Sequence, residues 1–191
     1  MQSEQSSPPV EAYCLNNDSS DESNTNLEVG CFHKDSICET PNGYRRMDDL
    51  QKGDQLLTNK NYYAEIKCIV QYECYDYVYL CQVDDLLISP WHPIKINNEW
   101  VFPCSIAPIK KYESDYVINI ELVNRETIIV VNGINCCTLG HGIEGSVIGH
   151  PFYGTNACIE PLKNLEGYQN GRVKVSGVRR NPNTNLVCGY K

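Results

Sequence analysis

From Ser36 to Leu139 the chain is cut into short alternating runs by turn-forming residues, and this pattern restricts the fold more than any other feature. Ser36-Ile37-Cys38-Glu39-Thr40 and Tyr44-Arg45-Arg46 flank Pro41-Asn42-Gly43 and read as a hairpin. Met47-Asp48-Asp49-Leu50 fits one helical turn stopped by Gly53, after which Gln55-Leu56-Leu57-Thr58 resumes as a strand. Residues 64–88 contain further β-rich runs, among them Tyr77–Val83. Asn97-Asn98 separates Ile94–Ile96 from Trp100–Phe102, and Asn132-Gly133 separates Thr127–Val131 from Ile134–Leu139. In Tyr116–Leu122 the residues Tyr116, Ile118, Ile120 and Leu122 share one face, while Asn119 and Glu121 lie on the other. Strands this short, with turns at this spacing, predict an all-β fold built largely of hairpins.

The ends of the chain read differently. Thr155 or Asn156 is expected to cap a short helix with Ile159, Leu162 and Leu165 on one side, kept short by Pro161. Gly171–Val178 and Leu186–Tyr190 read as two strands joined through Asn181-Pro182-Asn183. Residues 31–191 therefore form one expected domain, a β body over 31–141 with a small appendage, short helix plus hairpin, over 142–191. Ahead of it, residues 1–30 hold six acids and no Lys or Arg, and 1–28 read as a disordered acidic leader.

Charge and composition exclude several classes. The leader carries most of the net charge of −8, and no concentrated basic face exists, so a nucleic-acid partner is not expected. No run of 18 apolar residues is present, so no membrane span is expected. Met1-Gln2-Ser3-Glu4 has neither a basic nor an apolar signal-peptide region. The expectation is an intracellular, cytoplasmic monomer whose eleven cysteines are mostly reduced and buried, unless a longer parent protein carries an export signal. No CxxC pair occurs, which argues against zinc-ribbon and thioredoxin readings.

Gly30-Cys31 lies at the seam between leader and domain. A thiolate there can attack the carbonyl of the preceding residue and turn the Gly30–Cys31 amide into a thioester, and glycine offers no Cβ to obstruct it. His92, at the end of Ser89-Pro90-Trp91-His92, lies 61 residues after the cysteine. An imidazolium beside the departing nitrogen would donate a proton to a poor leaving group as general acid. A hydroxyl three residues earlier would hold the same peptide in place.

Gly30-Cys31-Phe32, Met47–Asp54, Ile88-Ser89-Pro90-Trp91-His92-Pro93 and Val131–Gly142, in this order, resemble the Hint (Hedgehog/intein) superfamily. Thr138-Leu139-Gly140-His141-Gly142, followed by His150-Pro151-Phe152-Tyr153-Gly154-Thr155, is similar to its Vint branch, the Hint domains associated with von Willebrand A regions. The resemblance spans residues 30–191 and implies a horseshoe of hairpins that processes itself at its first residue. It makes Cys31 the nucleophile, Gly30 the scissile residue and the chain's own N-terminal flank the substrate. Ser89 stands where the family has Thr in its Thr-x-x-His motif, with His92 as the acid. Thr138 and His141 complete the candidate catalytic set. Glu73, Asp76 and His33 are candidates to activate the thiol.

Inteins end in His-Asn, where this chain has Cys137 and Thr138, and their block F usually has Asp where this chain has Asn119. Thr138 cannot form a succinimide, so cleavage without splicing is implied. Water or a small external nucleophile would resolve the thioester, as sterol does in Hedgehog proteins. No cofactor is implied. Two other readings stand beside this one: an inactive Hint fold serving as an interaction module, and a structural zinc domain held by Cys136, Cys137, His141 and His150. Adjacent cysteines on a strand face opposite ways, which counts against the zinc site.

Overall fold

The computed structural model describes residues 30–125 and 128–191. The expected readings of residues 1–29, and of the strand start at Thr127, lie outside the described residues.

Sixteen strands run in chain order among the described residues. They are β1 (Phe32–His33), β2 (Ile37–Thr40), β3 (Gly43–Arg46), β4 (Gln55–Leu57), β5 (Tyr63–Glu73), β6 (Tyr77–Val83), β7 (Leu86–Ile88) and β8 (Ile94–Ile96). After them come β9 (Glu99–Val101), β10 (Ile109–Glu113), β11 (Tyr116–Leu122), β12 (Ile128–Val131), β13 (Ile134–Cys137), β14 (Arg172–Val175), β15 (Val178–Arg180) and β16 (Val187–Tyr190). The helical turn expected after β3 is a 3₁₀ turn over Met47–Asp49. The fold is all-β, as the turn pattern predicts.

The turn residues take the conformations their types favour. Asn132 and Gly133 both have positive φ (48° and 78°) and join β12 to β13, while Asn97 and Asn98 (48° and 69°) join β8 to β9. Positive φ at both central positions matches the right-handed twist of the strands they connect. Asn132 also ties its hairpin to β2, accepting the Ile37 N–H on Oδ1 at 2.8 Å and donating its own N–H to the Ile37 carbonyl.

The strands form an eight-stranded sheet, ordered β10-β6-β7-β1-β11-β5-β14 with β4 also on β5, and a six-stranded sheet ordered β3-β2-β12-β13-β8-β9. The two-residue strand β1 lies inside the larger sheet, antiparallel to both β7 and β11. That central position immobilises the start of the domain.

Two cores flank the larger sheet. Phe32, Ile88, Ile118, Ile120 and Leu122 belong to one core, shared with the six-stranded sheet. Cys31, Val70, Tyr72, Val117 and Val173 belong to the other, which takes Phe152, Ile159, Leu162, Val187 and Tyr190 from the C-terminal fifty residues. The face of β11 that the sequence assigns to Asn119 and Glu121 is therefore also buried. Glu121 is satisfied there by the Tyr168 hydroxyl, which donates at 3.0 Å, and by Lys67 at 2.9 Å.

The C-terminal segment differs in two respects from its expectation. Its hairpin pairs β15 with β16, whereas Arg172–Val175 leaves that hairpin and adds to β5 as a parallel strand of the main sheet. The single α-helix among the described residues, α1 (Ile159–Leu162), starts after Cys158 with no side-chain cap. Thr155 instead spends its hydroxyl on the Pro151 carbonyl and the Ala157 N–H, and Leu165 packs from beyond the helix. Gly171, at φ +83°, leads into β14 against Lys52, whose Cβ would lie 2.2 Å from any added methyl.

Candidate functional site

Strand register assembles the site. Phe32 pairs with Ile88 on one side and with Ile118 on the other. One residue earlier, Cys31 must then lie between Ser89 and Asn119. The Cys31 N–H donates to Ser89 Oγ at 3.0 Å, and the Ser89 hydroxyl and N–H both donate to the Cys31 carbonyl at 2.9 Å. On the opposite side Asn119 Nδ2 donates to the Gly30 carbonyl oxygen. The orientation of that amide is set by its own Oδ1, which accepts the Ile120 N–H at 2.7 Å. Nitrogen and oxygen of one peptide bond, Gly30–Cys31, are thus each held by a dedicated side chain.

His92 completes the grip. A turn carries it back, its N–H donating to the Ser89 carbonyl at 3.1 Å, and its ring stacks on Phe32 with centroids 4.4 Å apart. Nε2 lies 3.0 Å from the Cys137 carbonyl, an acceptor, so Nε2 carries the proton. Nδ1 is then left with its lone pair, is buried without a partner, and faces Gly30. Burial lowers the imidazole to about 4, the Cys137 and Gly30 backbone groups offsetting this in part, with His141 lowering it further. At neutral pH His92 is therefore an uncharged imidazole with a vacant acceptor beside the peptide, and not the imidazolium expected from the sequence, because burial disfavours the charged ring.

The Cys31 thiol is fully buried, and burial pushes it well above its ordinary value, with Cys74 adding to the effect. The three candidate activating groups are placed elsewhere. Glu73 and Asp76 are exposed at the turn between β5 and β6. His33 is engaged with the Glu113 carbonyl and the Asp35 N–H.

Beside the peptide lies a cavity of about 410 Å³, lined by Gly30, His92, Asn119, Thr138, His141 and Val187 among others. Thr138 is buried in its wall. His141 accepts the Ile143 N–H on Nδ1 at 3.0 Å, and His150 accepts two N–H groups, from Phe152 and Tyr153, in the same way. Both imidazoles are lowered to about 4, burial being the leading cause. The structure therefore brings Gly30, Cys31, Ser89 and His92 into one contact set and places Thr138 and His141 in the adjoining wall. Among the described residues no three His, Cys, Asp or Glu side chains gather into a metal-binding group. Cys136 and Cys137 face different surroundings, the first in the core and the second donating toward the Pro93 carbonyl.

Asn119 is the site residue that sequence reasoning did not assign to catalysis. The alternation of β11 separates it from the apolar face, but an amide on the second face of a strand reads as solvent-facing. Its only available signal was the departure from the Asp that inteins usually carry there.

The sequence profile of the Vint family of Hint domains matches residues 30–189. The chain belongs to that family. The Vint domain is also similar to solved inteins. The gp41-1 intein shares 16% identity, covering 58% of this chain and 100% of its own, with a TM-score of 0.44. The Ssp DnaB mini-intein variant M86 shares 14%, covering 62% and 98%, with a TM-score of 0.43. A zinc-bound Msm DnaB1 intein splicing domain shares 15%, covering 56% and 98%, with a TM-score of 0.41. No curated protein matches the sequence. No helix of the described residues is long and apolar enough to cross a membrane.

Proposed function

We propose that this Vint domain cleaves its own chain at Gly30–Cys31 by an N–S acyl shift. The observation that carries the reading is the three-sided grip on one peptide bond: Ser89 at the nitrogen, Asn119 at the oxygen and His92 Nδ1 beside it. Donors aimed at the carbonyl oxygen favour the charge that develops there on attack, which is the usual largest contribution in acyl transfer.

In the first step the Cys31 S–H bond breaks and its sulfur bonds to the Gly30 carbonyl carbon. The neutral His92 Nδ1 accepts the proton, and Asn119 Nδ2 supports the oxyanion. In the second step the C–N bond breaks and His92 returns the proton to the Cys31 nitrogen. The product is a thioester on Cys31 Sγ with a free α-amine, and every proton is accounted for. His92 thus serves first as base and then as acid, a cycle suited to an imidazole that rests uncharged. Ser89 accepts the departing N–H and fixes its direction. Water or an external nucleophile then resolves the thioester and releases the N-terminal flank. Thr138 lacks the amide needed for cyclisation at the other end, so cleavage ends the sequence of reactions.

Intact-mass measurement of freshly expressed chain, with and without dithiothreitol or hydroxylamine, tests the proposal. A fragment beginning at Cys31 is expected from the wild type and none from Cys31→Ala. Release from Cys31→Ala at the wild-type rate would remove Cys31 as the nucleophile.

A further inference from the structure

Four buried side-chain nitrogen or oxygen atoms of the described residues have no hydrogen-bond partner, one beside Gly30 and three in the core that holds Cys31. One is His92 Nδ1, on the Gly30 side. The other three are the hydroxyls of Tyr72, Tyr153 and Tyr190. Tyr72 and Tyr190 share one core with Cys31, and Tyr153 packs against it. The rings of Tyr72 and Tyr190 lie 6.3 Å apart, and Phe152 sits between Tyr153 and Tyr190 at 5.2 and 5.3 Å. The Tyr72 hydroxyl lies beside those of Tyr153 and Tyr190.

A buried hydroxyl without a partner destabilises the fold, and a cluster of three calls for a reason other than packing. Cys31 supplies one. The proposed reaction requires negative charge on a sulfur that is fully buried, and the candidate bases Glu73, Asp76 and His33 are placed elsewhere. A desolvated thiolate needs hydrogen-bond donors. A phenol O–H whose polar neighbours are only another phenol or the Cys158 thiol, none at full hydrogen-bond distance, can turn toward the sulfur at little cost.

We propose that Tyr72, Tyr153 and Tyr190 form a hydroxyl cradle that stabilises the charge on Cys31 Sγ during its attack on Gly30. The inference rests on the autoprocessing reading and adds the means by which a buried thiol becomes nucleophilic. It also gives the C-terminal segment a chemical task, since Tyr153 and Tyr190 both come from it. No proton leaves the phenols: the thiol proton still passes to His92, and the O–H groups only donate hydrogen bonds. Burial raises all three phenols, and the Cys31 thiol raises each further, so they stay protonated donors. The other titratable groups in this set are the Cys74 and Cys158 thiols; Arg180 acts on Tyr153 and Glu121 on Cys158.

The test compares Tyr72→Phe, Tyr153→Phe, Tyr190→Phe and the Tyr153/Tyr190 double variant in the full chain, with the exposed Tyr75→Phe as control. Hydroxylamine-induced release is followed by intact mass from pH 6 to 12, and Tm is measured for each protein across that range. A second readout needs no cleavage: the 240 nm thiolate absorbance of each protein minus that of its Cys31→Ala counterpart, titrated over the same range. Each single change is expected to slow release roughly 10-fold, the scale of one hydrogen bond to a charged group. The double variant is expected to move the Cys31 midpoint upward by about one pH unit in both readouts. Tm should be unchanged or higher, because a partnerless hydroxyl has been removed. Folded variants with the wild-type rate and midpoint would overturn the cradle. So would a lowered Tm and slower release with an unmoved midpoint, the pattern of a purely structural role. If Cys31→Ala blocks release while the tyrosine variants behave as wild type, the acyl shift stands and the cradle alone falls.

Discussion

Asn119 and Gly30 are 89 positions apart in the chain, yet the Asn119 side-chain amide donates directly to the Gly30 carbonyl oxygen. The contact depends on β1 being threaded between β7 and β11, so the oxygen of the peptide is set by the same sheet that buries the sulfur. Removing the donor should cost catalysis without disturbing the apolar face of β11. Asn119→Ala is expected to slow hydroxylamine-induced release by roughly 100-fold or more, the scale for losing one oxyanion donor. A folded Asn119→Ala protein that cleaves at the wild-type rate would show that the amide serves structure alone.

His92 gives a second prediction. His92→Ala should slow release by roughly 100-fold or more, the range of general acid–base catalysis. Ser89→Ala should cost less, because the hydroxyl orients the departing nitrogen and transfers no proton, and Ser89→Thr should be neutral or faster. Gly30→Ala is expected to slow the reaction as well, since the new methyl would sit 3.4 Å from His92 Nδ1. Rates from the same intact-mass assay decide each case, and an unimpaired His92→Ala would assign the proton transfer to another group.

Three imidazoles, His92 and His141 buried and His150 half-buried, fix a pH window for stability. His92, His141 and His150 are each lowered from 6.5 to about 4, burial being the leading cause. Between about pH 6.5 and 4 the unfolded chain takes up protons that the folded chain refuses, so stability falls as the pH drops through that window. Above pH 6.5 these groups add no further dependence. The urea midpoint is expected to fall between pH 7.5 and 5, and His150→Asn should flatten the slope, since its Oδ1 can still accept the backbone N–H groups. A midpoint that rises on acidification would contradict the neutral state of these side chains.

The hairpins and the Asn-Gly and Asn-Asn turns were legible in the sequence because each rests on local pattern, whereas the expectation that Ser89 and His92 approach Cys31 came from the resemblance to Hint domains. Asn119 and Glu121 were not, because alternation within β11 shows that two faces exist but cannot show that a distant segment covers the second one. For the same reason Arg172–Val175 read as part of a C-terminal hairpin, when its partner is β5, a hundred residues upstream. Parallel pairing leaves no turn signature. The short helix failed at its start: Thr155 has the chemistry of a cap, but its hydroxyl is spent on Pro151 and Ala157.

The last prediction concerns the segment after Thr138. Leu139 donates its N–H to the Ile120 carbonyl at 3.0 Å, so the chain remains sheet-bound past the position where an intein would end. Beyond it, Phe152, Ile159, Leu162, Val173, Val175, Val187 and Tyr190 all enter the core that contains Cys31. Burial of one such apolar side chain is worth about 1.5–3 kcal/mol, so seven together are worth roughly 10–20 kcal/mol, as much as the roughly 5–15 kcal/mol by which a domain is stable. Truncation after Thr138 should therefore give an aggregating product, with the open edge of β5 and its apolar face exposed. Residues 31–191 are expected to remain one polypeptide after N-terminal release. Size-exclusion chromatography of the truncated chain and intact mass of the processed chain check both statements. A soluble, monomeric 1–138 product, or a natural fragment ending between Asn135 and His141, would show that the C-terminal segment is separable from the fold.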